Sequence, residues 1–343
     1  MIDYRQIDAI NQSTLKKILI SPKEYLKARD QMESSTGAHF VFGTIVDLML
    51  TSDRAEFDEK FVVLPDSISV TDTVKTIVEG VYRDLKEQNV EITESDTLNN
   101  DKYRDLILRN CQYQNYQPNW KEDTRVNKII ELGSSYFQFL SEAKDRQVVS
   151  NEEYSKAVLC VTAMRQDPYT KEYCSSKKSS SLEIKDKLVV EFEYRDLQFK
   201  GELDRVIIDH EKKIITPIDF KTTSKSVLGF QYEFWKYRYD FQAAMYTLGL
   251  KSQDWLYRLV KEQGYVLDDF LYIVVEKELY NNPMCFRVTA EVYDIGLRGG
   301  IVYNSKYEGL DDAINRYKYA VEHDRWDYPM EYYNNGHIIL KNQ

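Results

Sequence analysis

One stretch of the chain, Gly201-Glu-Leu-Asp204-Arg-Val-Ile-Ile-Asp209-His-Glu-Lys-Lys213-Ile-Ile-Thr-Pro217-Ile-Asp219-Phe-Lys221-Thr-Thr223, holds two aspartates and a lysine at spacings that strand geometry turns into a shared face. Residues 206–208 and 214–220 are rich in β-branched and aromatic types, and the polar run from Asp209 to Lys213 reads as the turn between two strands. With residues 210–213 as the loop, Asp209 faces Ile214, and counting back sets Asp204 opposite Asp219, their Cβ atoms roughly 5 Å apart. Lys221 falls on the same face two residues later, while Ile218 and Phe220 turn toward the core. Opposed carboxylates destabilise a sheet, so this pair calls for a cation, and two carboxylates beside one ammonium suit a divalent metal and a phosphodiester. A bulge at Pro217 would shift the register by one and undo the arrangement.

The spacing alone decides little, because Glu183-Ile-Lys185 and Glu211-Lys-Lys213 repeat it in a chain that is 30% charged, and such pairs also describe a solvated strand face. What sets Asp219-Phe-Lys221 apart is the aspartate at the facing position, with apolar residues alternating on both strands. A further carboxylate, Asp47, stands inside the apolar helical run Phe40-Val-Phe-Gly43-Thr-Ile-Val-Asp47-Leu-Met-Leu50, with Gly43 one turn before it on the same side. A charge in so apolar a segment needs a partner, unless it is exposed or caps a turn.

The elements that must position these groups follow from periodicity and caps. Ser13-Thr-Leu-Lys-Lys-Ile-Leu-Ile20 predicts a short helix, and Ser21-Pro22-Lys23-Glu24 provides an N-cap, a first-turn proline and a capping-box glutamate for another. From 66 to 180 the pattern is polar and helical, with helices expected near 72–88, 101–112, 124–145 and 151–166, and a polar basic loop at 175–181. Strands follow at 188–194, 197–209 and 214–221, then a helix at 234–250, strands at 270–276 and 286–292, and a closing helix at 310–323. Glu191 and Glu193 share the Asp204 face but sit about 13 Å or more away, as solvated residues. We divide the chain into N-terminal helices including that of Asp47 (1–65), a helical insertion (66–180) and the strand-bearing core (181–343), forming one composite domain.

Composition bounds the chemistry. Cys111, Cys160, Cys174 and Cys285 show no paired spacing and only four histidines exist, which argues against zinc and iron–sulfur sites. No signal pattern opens the chain and no apolar run approaches the roughly 20 residues of a membrane span, so a reduced, cytoplasmic protein with no membrane partner is expected. The net charge of −10 sets any binding of DNA on local lysines and arginines rather than on the total. No GxxxxGK loop, GxSxG elbow or HExxH pair occurs.

Gly201-x-x-Asp204 followed by Ile218-Asp219-Phe-Lys221-Thr-Thr resembles the catalytic strands of the PD-(D/E)xK nuclease superfamily. More narrowly, Ser13-Thr-Leu-Lys16, Ser21-Pro22-x-x-Tyr25, Phe42-Gly43-Thr-Ile-Val-Asp47, Phe57-Asp-Glu-Lys-Phe-Val-Val-Leu-Pro65, Gln242-Ala-Ala-Met-Tyr246, Val275-Glu-Lys-Glu-Leu-Tyr280 and Trp326 together resemble the RecE-like, exonuclease VIII group of phage and prophage exonucleases. The resemblance implies an α/β (α+β) restriction-endonuclease-like core, a mixed central sheet flanked by helices. It implies Asp204, Asp219 and Lys221 as catalytic residues, with Asp47, Asp204, Asp219 and the backbone carbonyl of Phe220 as ligands to Mg2+, Mn2+ substituting. Gln242, Tyr246, Thr222 and Thr223 would lie at the DNA. Family members carry histidine where this chain has Asp47, a harder oxygen ligand suited to magnesium or manganese; His39, two turns earlier, is a weaker candidate to compensate. The implied activity is 5′ to 3′ degradation of linear double-stranded DNA ends, leaving 3′ single strands for recombination. A homo-oligomer in a bacterial host cytoplasm, with a single-strand annealing protein as partner, goes with it. An endonuclease or repair nuclease with the same ligands, and a non-catalytic DNA-processing or protein-binding module keeping the fold, are the alternatives.

Overall fold

Turn chemistry sets the sheet that carries the candidate residues. Strands β1 (Leu182–Tyr194) and β2 (Leu197–Asp209) are joined by Arg195 and Asp196 at φ 51° and 62°, the left-handed pair that a two-residue hairpin of matching twist requires. The turn from β2 into β3 (Ile214–Thr223) is closed by Asp209, whose Oδ1 accepts from the amides of Glu211 (3.1 Å) and Lys212 (2.8 Å). Asp209 pairs with Ile214 as the sequence predicts, and Pro217 pairs with Val206 without a bulge. In this computed structural model, which describes residues 4–30, 38–93, 95–177 and 179–339, the chain divides into two compact units, Met1–Ser52 with Ala157–Gln343, and Asp53–Lys156.

The first unit contains helices α1 (Pro22–Asp30) and α2 (Ala38–Thr51) ahead of the sheet. After β3 come α3 (Phe230–Lys236), α4 (Tyr239–Lys251), β4 (Phe270–Glu276), β5 (Met284–Val288), α5 (Ala290–Arg298) and α6 (Leu310–His323). The strand order is β1-β2-β3-β4-β5, with the two residues Val266–Leu267 also pairing with β3. β4 runs parallel to β3, and the other neighbours along that order are antiparallel, so the sheet is mixed. β4 is buried at every position and β3 at six in succession, as strands covered on both faces are. On β3, Thr222 meets α2, where a Cβ on Gly43 would lie 3.3 Å from its Oγ1, while Asp219 bonds to Gln242 of α4. An odd separation along a strand means opposite faces, so α2 and α4 sandwich β3.

Several expectations need correction. The helix expected at 234–250 is two, because Arg238 adopts φ 58° between α3 and α4 and its guanidinium grips Asp240 through bonds of 3.0 and 2.9 Å. The strand expected at 286–292 ends at Val288, where Thr289 caps α5. β1 begins at Leu182, six residues before the expected 188, and β3 runs on to Thr223. The first short helix is an α-turn, Gln12–Leu15, capped by Asn11, running into a 3-10 segment, Lys16–Leu19. The Ser21 cap of α1 is present: its Oγ accepts from the Glu24 amide at 3.1 Å.

α5 packs against α4 at Gly296, where a Cβ would stand 2.2 Å from the Asp240 carbonyl oxygen. Backbone cannot yield as a side-chain tip can. Gly296→Ala is therefore expected to destabilise the chain by about 1–3 kcal/mol, read as a lower urea midpoint at unchanged m.

The second unit is helical, with Asp72–Glu87, Arg104–Tyr113 and Glu122–Ala143 burying Ile77, Val81, Ile107, Ile129 and Phe137, beside a short parallel pair, Phe61–Leu64 with Gln147–Ser150. The fourth expected helix is Asn151–Gln166. Among the described residues no helix is long and apolar enough to cross a membrane.

Candidate metal centre

Asp219 lies on the central strand, 2% exposed. Gln242 Nε2 donates to its Oδ1 at 2.8 Å, and the Tyr272 hydroxyl, 2.9 Å from the Tyr239 carbonyl and 3.3 Å from Gln242 Oε1, holds the amide the right way round. Its Oδ2 is ion-paired with Lys221 but accepts no well-directed hydrogen bond, so a buried lone pair is left for another partner. Burial, only partly offset by Lys221 and reinforced by Asp204, pushes the Asp219 carboxyl up to about 6. Lys221 rests over the rings of Tyr239 (5.0 Å) and Tyr272 (5.7 Å). Burial disfavours its charge, but Asp219, Tyr239 and Asp204 outweigh that and hold its pKa above the ordinary lysine value.

The β2–β3 ladder stops at Arg205 opposite Ile218, one step short of the two aspartates. The backbone hydrogen bond that would come next is replaced by one from the Phe220 amide to Asp204 Oδ2, 2.9 Å, and this opens the strands at the site. The other oxygen, Oδ1, accepts from Lys187 Nζ at 3.0 Å, and the same ammonium is ion-paired with Asp47 Oδ2. Two carboxylates thus share one ammonium. Lys187 stays charged, its pKa held above normal because the two aspartates outweigh its burial. Asp47, buried and beside Asp204, is pushed up to about 7 even with Lys187 in contact, since one positive charge cannot neutralise both neighbours.

Arg205, next to Asp204 in the chain, fixes this geometry. It is fully buried over the Phe220 ring, donating to Asp186 Oδ1 (2.6 Å), to the carbonyls of Tyr173 and Ser175 (both 2.9 Å), and to that of Leu50 in the last turn of α2 (2.6 Å). A cation at a helix C-terminus is favourable, and here it pins the helix that carries Asp47. Lys16, from the opening motif, donates to the Tyr237 carbonyl at 3.2 Å, and burial, then Lys221, lowers its ammonium to about 8.

The sequence profile of the PD-(D/E)XK nuclease superfamily matches residues 13–291, most of the chain and all of these side chains. The chain belongs to the PD-(D/E)XK nuclease superfamily. It is thus a nuclease acting on DNA, in a superfamily whose members generally use divalent metal ions. No curated protein matches it. One solved structure similar to this PD-(D/E)XK nuclease, a candidate exonuclease of Eubacterium rectale, is 11% identical over 84% of this chain and 92% of that one, at a TM-score of 0.33, too distant to carry an argument.

The donor set of this PD-(D/E)XK nuclease fits a hard cation, being all oxygen and already gathered around positive charge. Among the described residues no three His, Cys, Asp or Glu side chains form a cage by themselves. The acids divide instead into Asp47–Lys187–Asp204 and Asp219–Lys221. Asp47 and Asp204 reach one ammonium from different elements, and Asp219 has the unused lone pair. Of the other expected residues, Gln242 is on Asp219, and Phe220 contributes its amide to Asp204. Tyr246 is buried under Gly201, where a Cβ would meet its ring at 3.0 Å. Thr222 packs against Gly43, and Thr223 donates to Glu233 Oε2 at 2.9 Å. The side chain of His39 lies outside the described residues. Lys187 and Arg205 were not among the expected site residues.

The raised carboxyls set a pH dependence for metal-free protein. Asp47 and Asp219 keep protons in the folded chain at pH values where the unfolded chain has released them. Between about pH 4 and about pH 7 the folded state binds more protons, so the contribution of these groups to stability falls as pH rises through that window. Urea midpoints in EDTA at about pH 5 and about pH 8 test it, and Asp47→Asn should flatten the difference.

Proposed function

We propose that the chain is a RecE-like exonuclease that degrades linear double-stranded DNA 5′ to 3′ and leaves 3′ single strands for recombination. The observation that supports a nuclease site is the convergence of Asp204, Asp219 and Lys221 at the opening of the β2–β3 ladder, with Gln242 fixing Asp219. The preference for duplex ends and the polarity rest on the resemblance to RecE-like exonucleases. Asp47, Asp204, Asp219 and the Phe220 carbonyl would hold Mg2+ or Mn2+, which when bound supplies Lewis-acid polarisation of the phosphate and a water of lowered pKa. Lys221, steadied by Asp219 and two tyrosine rings, orients the attacking water and places positive charge where negative charge develops on the scissile phosphate. Gln242 holds one Asp219 oxygen so that the other is directed into the site. Gln242, Tyr246, Thr222 and Thr223 would lie at the bound DNA, with Gln242, Tyr246 and Thr223 buried in the free chain. The helical stretch 66–180 is an insertion in one composite domain, and a homo-oligomer working with a single-strand annealing protein completes the reading.

A 5′-labelled linear duplex and a closed circle of the same sequence, each incubated with Mg2+, test it. Release of label from the linear form alone, leaving a 3′ single strand, is expected. Cleavage of the circle would assign an endonuclease, and inertness on every DNA form and metal a non-catalytic module.

A further inference from the structure

We propose that Lys187 is a resident counter-cation that holds the divalent-ion position between Asp47 and Asp204, and must swing aside for a metal to bind, so that it sets the metal affinity of the site. The inference rests on the reading that these carboxylates are metal ligands. Lys187 Nζ meets Asp204 Oδ1 at 3.0 Å and is ion-paired with Asp47 Oδ2, so it occupies the place where oxygens from α2 and β2 converge. Its backbone is committed to this. Lys187 has φ 50° inside β1, and among the described residues no other residue within a strand has a positive φ. The pairs Asp186 with Arg205 and Leu188 with Leu203 continue one register across it, so no extra residue causes the distortion. A left-handed non-glycine residue in a strand is strained, and such outliers gather where a side chain must be aimed.

The distortion has a visible result. Leu188 and Leu203 pack with the core that includes Tyr246 of α4, whereas Asp186 and Arg205, two residues away on each strand, are joined to each other and, through Arg205, to α2. Strict alternation would keep residues two apart on one face. The change of face falls at Lys187 and Asp204, and it delivers both side chains to Asp47.

Charge and reach make the ammonium displaceable. One positive charge cannot neutralise two carboxylates, whereas a divalent ion can, at the shorter distances of direct coordination. The lysine is a point charge on a flexible four-carbon stem, and its side chain retains 25% exposure, which leaves a way out to solvent. Its departure costs two ion pairs, and that cost is subtracted from the metal's binding free energy.

Calorimetric titration of Mn2+ into the metal-free full-length chain tests this with four proteins. Lys187→Met should bind Mn2+ about tenfold more tightly than wild type, because nothing competes for the two carboxylates. Lys187→Arg should bind as weakly as wild type or more so, and Asp204→Asn should lose the site. Lys187→Met leaves two carboxylates facing each other, so its melting temperature should rise more on adding Mn2+ than that of wild type. This second readout holds if the metal-free variant is partly unfolded. Equal or weaker Mn2+ binding by Lys187→Met, with Asp204→Asn still abolishing it, would overturn the role of Lys187 while leaving the metal centre standing. Wild-type binding by Asp204→Asn would remove the metal centre and the inference with it.

Discussion

Lys221→Ala is expected to lower turnover on linear duplex DNA by about 10²–10³-fold, the range seen when a single preorganised transition-state donor is removed. Lys221 has two jobs that the variant separates. In the proposed mechanism its charge, held in place by the ion pair with Asp219 and by the tyrosine rings, acts on the phosphate, and this contribution would be lost at every pH. It also restrains the Asp219 carboxyl, which burial already lifts to about 6; without the ammonium the carboxyl rises further, and protons compete with metal near neutrality. Raising the pH should therefore recover metal affinity but not kcat. Mn2+ titrations and kcat, each measured at about pH 7 and about pH 9, check this split. Full recovery of kcat at high pH would reduce Lys221 to a guardian of Asp219.

Arg205→Met should cost about 3–5 kcal/mol of stability, as expected when one partner of a buried charge network is removed. Methionine fills part of the volume over Phe220 but leaves the carbonyls of Leu50, Tyr173 and Ser175 and the Asp186 carboxylate without their donors. The effect should extend to the site, because the Leu50 carbonyl lies one turn beyond Asp47 on α2 and Arg205 ties that turn to β2. A large fall in the urea midpoint together with weakened Mn2+ binding is expected. A fall in stability with metal affinity unchanged would show that Gly43 against Thr222 is enough to place Asp47.

The hairpin that carries Asp204, Asp219 and Lys221 was legible because each determinant is local: a four-residue polar loop, alternation on both sides, and a proline the register accommodates. Lys187 was legible in principle. Counting across the Arg195-Asp196 turn puts it opposite Asp204, but with β1 expected to begin at residue 188 it fell outside the strand, among charged residues that do not look like sheet. Its left-handed backbone leaves no sequence signal at all. Arg205 is adjacent to Asp204 in the sequence, but its three carbonyl partners come from residues 30 or more positions away, a long-range arrangement that no local pattern encodes. The same limit broke the expected helix at 234–250: its apolar periodicity runs through Arg238, and only the grip on Asp240 shows why the chain turns there.

Anomalous diffraction from crystals soaked in Mn2+ addresses the centre itself. A manganese peak about 2.0–2.3 Å from carboxylate oxygens of Asp204 and Asp219, with Lys187 turned away from Asp47, is the expected result. Saturating manganese with no peak there, and Lys187 still bridging Asp47 and Asp204, would contradict a metal-dependent nuclease site at this place in the fold.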